Sequence, residues 1–223
     1  MKYSVIIPTY NEERIIGKTL GNLISHNAEF EIIISDGNST DKTREIAGTF
    51  PVKIINGKRG RGIQMNTAAK IARGDILLFL HADTFLPPNA FEIISNRFAD
   101  KNVRIATFNL KFDNSNFILS LYSYFTRFES VFTTFGDQVI IVRKKFFEEL
   151  GGFPDVKIFE DVSFLRKVRN KTKIIKLKPK VITSSRRFEK KGYIKTQFSN
   201  IMYFILYYSG KTDEEIYKRY YDE

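Results

Sequence analysis

Two apolar runs of strand length each end on a carboxylate, and the 47-residue spacing of those carboxylates leaves room only for short alternating elements. Glu31–Ser35 runs into Asp36-Gly37-Asn38-Ser39, and Asp75–Leu80 runs into His81-Ala82-Asp83-Thr84. A continuous apolar run bounded by turn residues is the pattern of a strand covered on both faces, as in a parallel sheet. Tyr3–Pro8 and Val52–Ile55 repeat that pattern. Between the runs lie segments of helical period. One carries Ile15, Ile16, Leu20, Leu23 and Ile24 on a single face behind Asn11 as N-cap; others span Asp41–Gly48 and about Gly62–Ala72. This alternation predicts an α/β fold with a mostly parallel central sheet flanked by helices. In such sheets ligands bind beyond the carboxyl ends of the strands, so Asp36 and Asp83 point to a polar, cation-accepting site there.

Beyond residue 100 the pattern changes. Arg104–Phe112 reads as an extended strand, Phe117–Phe132 as an aromatic helix and Val139–Val142 as a short strand. Lys144–Leu150 reads as a helix closed by Gly151-Gly152, where glycine suits a left-handed cap. A further helix follows Glu160-Asp161, Lys173–Leu177 and Val181–Ser184 are read as two strands, and the tail is helical from about Thr196. With no repeat or linker, one domain over 1–223 is expected, its halves meeting near residue 100.

Composition narrows the chemistry. There is no cysteine, which removes disulfides, thiolate zinc sites and a cysteine nucleophile. No run approaches the length of a membrane span, and the apolar run at the N-terminus is too short for a signal peptide, so the expectation is a cytoplasmic protein. Of the net charge of +11, almost all falls after residue 100, with thirteen basic residues and one acid between Arg166 and Lys195. Such a block attracts phosphates, whether of nucleic acid, anionic lipid or substrate; a solvated surface is an equal reading. Beside it the aromatic stretch Phe198–Tyr208 suits a peripheral seat on the inner face of a membrane, a homodimer contact, or ordinary core packing.

Several positions could carry chemistry. Neither a glycine-rich dinucleotide fingerprint nor a P-loop is present; the first strand turns through Pro8-Thr9-Tyr10-Asn11-Glu12 instead. That turn offers a nucleotide a hydroxyl, a phenol and a carboxylate, or it simply caps a helix. Asp36 could accept bonds from a base or ribose, or form an Asx-turn or N-cap. Lys58, Arg59 and Arg61 sit on a glycine-rich loop entering a helix, which suits a diphosphate. His81 and Asp83 fall on one side of an extended segment, where Mg²⁺ or Mn²⁺ could be held with substrate phosphates completing its shell. Of the adjacent Glu160 and Asp161, one could be a general base and the other structural.

Taken in order, these stretches resemble the family 2 glycosyltransferases of the GT-A fold, in particular a small single-domain subgroup. The resemblance rests on Val5–Glu12, Ser35–Asp41, Gly60–Asn66, Leu80–Thr84, Gly136-Asp137-Gln138, Leu150–Pro154, Phe159–Val162 and Thr183–Phe188. It implies inverting transfer from a nucleotide-diphosphate sugar, bound by the first half, to a hydroxyl on a sugar, lipid or lipid-linked acceptor, bound by the second. It implies that Asp36 contacts the nucleotide base and that Pro8, Thr9, Tyr10, Glu12 and Gln64 belong to the same pocket. Arg61 and Arg187 would lie near the phosphates. His81-Ala82-Asp83 stands where the family carries Asp-x-Asp, making Asp83 the metal contact for Mn²⁺ or Mg²⁺, and histidine replaces the first acid. Asp161 matches the general base, with Glu160 beside it as the second candidate. No nucleic-acid partner is expected on this reading. The alternatives are a sugar-phosphate nucleotidyltransferase and a non-catalytic nucleotide-sugar or nucleic-acid binder.

Overall fold

The structure, a computed structural model, describes residues 1–222. Its strands are β1 (Tyr3–Thr9), β2 (Phe30–Asp36), β3 (Lys53–Asn56), β4 (Ile76–Phe79), β5 (Thr84–Phe85), β6 (Ile105–Phe112), β7 (Ile140–Arg143) and β8 (Ile175–Thr183). They form one sheet in the order β3-β2-β1-β4-β7-β6-β8-β5. The first four are parallel; β7 runs antiparallel to both β4 and β6, β8 is parallel to β6, and β5 is antiparallel to β8. The helices are α1 (Ile16–Ile24), α2 (Thr43–Ala47), α3 (Arg61–Ile71), α4 (Ala90–Phe98), α5 (Phe117–Phe125), α6 (Lys144–Glu149), α7 (Glu160–Arg169), α8 (Arg186–Lys191), α9 (Tyr193–Tyr208) and α10 (Asp213–Asp222).

The alternation of side chains along each strand builds two apolar layers. Val5, Ile7, Ile34 and Leu78 pack on one face with Leu20 of α1 and Ile94 of α4. Ile6, Ile33, Leu77 and Phe79 pack on the other with Met65 of α3 and Phe164 of α7. Burial on both faces is why these strands read as continuous apolar runs rather than alternating ones.

Several expectations need correction. Asn11 does not cap α1, which begins at Ile16; Asn11 takes a left-handed φ of 55° and accepts instead from the Thr40 amide at 2.9 Å. The aromatic helix α5 stops at Phe125 rather than Phe132. Thr126 ends it by donating its hydroxyl to the Ser123 carbonyl at 2.8 Å while accepting from the Leu110 amide at 3.1 Å. The two strands expected around Pro179 are one, β8, because a register shift lets the pairing pass from Phe108↔Leu177 to Asn109↔Lys180. The skipped Lys178 carbonyl is satisfied by the Asn109 side-chain amide at 3.0 Å, so Pro179 costs no ladder bond. Helix α4 and strand β5 lie where the sequence pattern marks no element.

Candidate active site

The order β3-β2-β1-β4 places the strands that follow β1 on opposite sides of it, so a crevice opens beyond the carboxyl ends of β1 and β4. Pairing of β1 with β4 ends at Ile6↔Phe79, and the last bond between the chains runs from the Leu80 amide to the Ile6 carbonyl at 3.0 Å. Past that point the two chains part. One continues into Pro8–Glu12, the other into His81-Ala82-Asp83.

The first wall is closely tied together. Asp36 is fully buried, and its oxygens accept from the Thr9 hydroxyl at 2.9 Å, the Ser39 hydroxyl at 2.6 Å and the Ser39 amide at 2.8 Å. The local bond weighed from sequence forms to the third residue on rather than to the second as in an Asx-turn, and Asp36 and Thr9 act as one hydrogen-bonded unit. Gln64, also buried, donates from one amide nitrogen to the carbonyls of Thr9 at 2.8 Å and Ser35 at 2.6 Å, pinning α3 across the ends of β1 and β2. Pro8 pairs with Ser35 in the sheet. Tyr10 carries the Arg59 guanidinium 3.9 Å from its ring centroid. Glu12 is bridged by Arg186 at 3.0 Å, which joins this turn to the distant C-terminal half.

The second wall differs from the sequence expectation in shape. His81–Thr84 is a turn, closed by the Thr84 amide on the His81 carbonyl at 3.2 Å, rather than an extended segment. Ala82 is buried and its carbonyl accepts from Thr19 of α1 at 2.5 Å, which holds the turn to the body. His81 and Asp83 still face the same cavity. Burial, reinforced by Arg61, lowers the His81 pKa. Burial raises that of Asp83, with Glu12 adding to the rise against the opposing pull of His81 and Arg186.

That cavity has a volume of about 820 Å³ and brings together Arg61, His81, Asp83, Asp137, Asp161 and Arg187 as its guanidinium, imidazole and carboxylate lining. Pro8, Thr9, Tyr10 and Glu12 lie outside the lining, as do Asp36, Gln64 and Ala82; they form the adjoining crevice at the ends of β1, β2 and β4. Asp161, in the first turn of α7, accepts from the Gly136 amide at 2.7 Å. A Cβ on Gly136 would come within 3.0 Å of the same carboxylate oxygen, so the close approach needs glycine. Glu160 points elsewhere: it is buried and ion-paired with Arg61 at 2.8 Å, and it does not line the cavity. Among the described residues no group of three or more His, Cys, Asp or Glu side chains is placed to hold a metal by itself. Asp83 and His81 offer one carboxylate and one imidazole, a set that leaves ligand oxygens to complete a cation's shell.

Asp137 is a functional candidate that sequence reasoning missed. It sits in a single 3₁₀ turn over Gly136–Gln138, followed by the fully buried Val139 at a left-handed φ of 59°. A β-branched residue in that region costs about 1–3 kcal/mol and is held only by its surroundings. Burial, with the charge of Asp161 adding to it, raises the Asp137 pKa to about 7, and one of its oxygens has no hydrogen-bond partner. Lys176 and Arg61 oppose the rise and Asp83 adds to it. The Lys176 ammonium is itself lowered to about 8 by burial, and it donates to the Gln138 side chain and to Thr107 at 3.1 Å. The polar triplet beside an apolar strand was the signal in the sequence.

The raised pKa makes stability depend on pH. Folding takes up a proton at Asp137 between about pH 4 and pH 7, so its contribution is fully present below pH 4 and is lost as pH rises through 7. A tenfold change in proton affinity corresponds to about 1.4 kcal/mol. Asp137→Asn should therefore be near neutral at pH 4 and stabilising by a few kcal/mol at pH 8, read by urea unfolding at both values. A pH-independent difference between variant and parent would reject the assignment.

Comparison with known proteins adds a family. The family model described as Glycosyl transferase family 2 matches residues 4–162. The chain is similar to the poly(ribitol-phosphate) beta-N-acetylglucosaminyltransferase TarS of Staphylococcus aureus, with 34% identity over 96 residues, 39% of this chain and 17% of that protein. It is 33% identical over 101 residues to the poly(ribitol-phosphate) beta-glucosyltransferase of Bacillus spizizenii, covering 40% of this chain and 16% of that one. The chain thus spans only a small part of the length of these relatives. Among solved structures, S. aureus TarS 1-349 in complex with UDP-GlcNAc superimposes with a TM-score of 0.66 at 25% identity, over 82% of this chain and 58% of that one. The mannosyltransferase PcManGT of Pyrobaculum calidifontis, in complex with GDP-Man and Mn²⁺, superimposes with a TM-score of 0.62 at 24% identity, over 81% and 56%. The second likeness concerns the fold alone.

Proposed function

The chain belongs to glycosyl transferase family 2 and has the GT-A fold, and on that premise we propose that it transfers a sugar, with inversion, from a nucleotide-diphosphate sugar to a hydroxyl acceptor. One observation carries the reading: Asp161, fixed by the Gly136 amide, lines the same cavity as Arg61, His81 and Asp83. The acceptor oxygen attacks the anomeric carbon as the bond to the diphosphate breaks. Its proton passes to Asp161, and the nucleoside diphosphate leaves with the electron pair.

The chain's own groups divide the remaining work. The Thr9–Asp36 unit, with Pro8, Tyr10, Glu12 and Gln64 around it, forms the nucleoside end of the donor site. Arg61, held by Glu160, and Arg187 meet the diphosphate, where preorganised cations are worth most because they need not reorganise. Asp83 and His81 fit a divalent cation. The half-buried Asp83 carboxyl has a raised pKa, a cost that a bound cation would relieve, and the lowered pKa of His81 keeps its imidazole available as a neutral ligand. That donor set suits Mn²⁺ better than Mg²⁺, and such an ion would supply charge neutralisation at the departing diphosphate.

A thermal-shift screen of nucleotide sugars with and without Mn²⁺ tests the donor assignment. Saturation to about a hundred times the dissociation constant should stabilise the protein by about 2.7 kcal/mol, and Mn²⁺ should increase the shift. No shift with any uridine or guanosine diphosphate sugar would sink the donor reading.

A further inference from the structure

The cavity that holds Asp161 is far more apolar than transfer to a sugar requires. At about 820 Å³ it falls within the size range of small-molecule sites, roughly 300–1,000 Å³. Helix α5 contributes Ile118, Leu121 and Phe125 to its wall, and α9 contributes Ile201, Phe204 and Ile205. Phe132 and Phe135 enter from the segment after α5 and pack against Phe204, tilted and edge-on, at centroid distances of 5.5 and 6.0 Å.

The apolar wall continues onto the surface. Along α9 the residues Ile194, Phe198, Ile201, Ile205 and Tyr208 recur at spacings of four and three, and all are exposed, Ile194 to 75% and Phe198 to 70%. Phe117 on α5 is 79% exposed and Phe132 69%. Leu121 and Phe125 are exposed as well and follow Phe117 on α5 at spacings of four, so two apolar stripes border one cavity and form a patch that a protein surface rarely leaves uncovered without a ligand or partner. The patch is continuous with a general-base carboxylate, which favours a reacting molecule over a purely structural cover.

We infer that the acceptor is a long-chain neutral alcohol whose tail lies between α5 and α9 and whose hydroxyl reaches Asp161; the inference rests on the transferase reading above. The charges in the lining decide between an alcohol and a lipid phosphate. Asp161 and Asp137 both face the cavity, and a phosphate there would meet two carboxyl groups. The cations in the lining, Arg61 and Arg187, serve the donor diphosphate on the same reading. A sugar acceptor would in turn lay most of its surface against phenylalanine and isoleucine side chains, with partners offered at a few polar positions such as Ser184, Gln197 and Asn200, and each hydroxyl buried away from them costs free energy. The balanced step is unchanged: the alcohol oxygen bonds to the anomeric carbon, its proton goes to Asp161, and the nucleoside diphosphate departs.

The test is a binding series read by calorimetry on the full chain, using straight-chain alcohols of eight to twelve carbons, farnesol and farnesyl phosphate. Affinity should rise with chain length, by up to about fourfold per methylene at full burial, and farnesol should bind at least tenfold more tightly than its phosphate. Ile201→Asp and Ile205→Asp, both at exposed positions of the wall, should each weaken farnesol tenfold or more. Ile24→Asp on the outer face of α1 should not change it. A flat chain-length series, equal or tighter binding of farnesyl phosphate, or wild-type affinity in both wall variants would overturn the inference. So would a dimer in sedimentation that dissociates on Ile194→Asp and binds no alcohol, since the face would then belong to a second copy. The donor reading is scored separately by nucleotide-sugar thermal shift without alcohol, so loss of the donor shift and loss of alcohol binding identify different failures.

Discussion

Asp161→Asn is expected to keep the fold and the donor affinity while losing transfer by a factor of about 10²–10⁴, the usual contribution of a positioned general base. Gly136 donates its amide to one carboxylate oxygen of Asp161 at 2.7 Å, which leaves the other for the acceptor proton. Asparagine has the same shape, and its carbonyl oxygen can accept the Gly136 bond, so the loop carrying Gly136 and α7 keep their places. What it lacks is a site for the proton. The defect should therefore appear in kcat, with the nucleotide-sugar thermal shift unchanged. Glu160 cannot stand in, because it is committed to Arg61 at 2.8 Å and does not line the cavity. Wild-type-like turnover in Asp161→Asn would remove this residue from the mechanism.

The parts of the molecule legible from sequence are those where local pattern and tertiary burial agree. β1, β2 and β4 are buried on both faces, so their apolar runs are uninterrupted and their ends are marked by Asp36 and by His81-Ala82-Asp83. Where a side chain takes over a backbone bond, the pattern misleads. Thr126 truncates α5 through its hydroxyl, Asn109 carries β8 past Pro179, and Asn11 reaches across to Thr40 instead of capping α1. None of these partners is close in sequence to the segment whose reading it changes, apart from Thr126 with Ser123. The site follows the same rule. Asp83 and Asp161 announce themselves by position at a strand end and a helix start, whereas the raised pKa of Asp137 arises from burial and from Asp161, which only the fold brings near. The division of labour between Glu160 and Asp161 is likewise invisible in a dipeptide; it depends on Arg61 of α3 lying beside the first turn of α7.

Asp83→Asn should be the second most damaging change, lowering kcat by about 10²–10³, the loss seen when one electrostatic stabiliser of a transition state is removed. Its signature differs from that of Asp161→Asn. The carboxyl of Asp83 has a raised pKa at the turn beyond β4, beside an imidazole that burial and Arg61 keep from protonating. A bound cation would reverse the first shift and reinforce the second, since it favours an ionised carboxylate and a neutral imidazole. Asparagine keeps the volume and an oxygen but not the charge, so it should relieve the buried acid and leave the free protein equally or slightly more stable. In nucleotide-sugar thermal shifts, the increment that Mn²⁺ adds should disappear while a metal-free shift from the nucleoside contacts survives. Asp161→Asn, in contrast, should retain the full Mn²⁺ increment. If Asp83→Asn kept that increment, the cation would have to be held without Asp83. If it lost the metal-free shift as well, Asp83 would be needed to shape the nucleoside site itself, because the turn that carries it is anchored through the Ala82 carbonyl to Thr19 of α1.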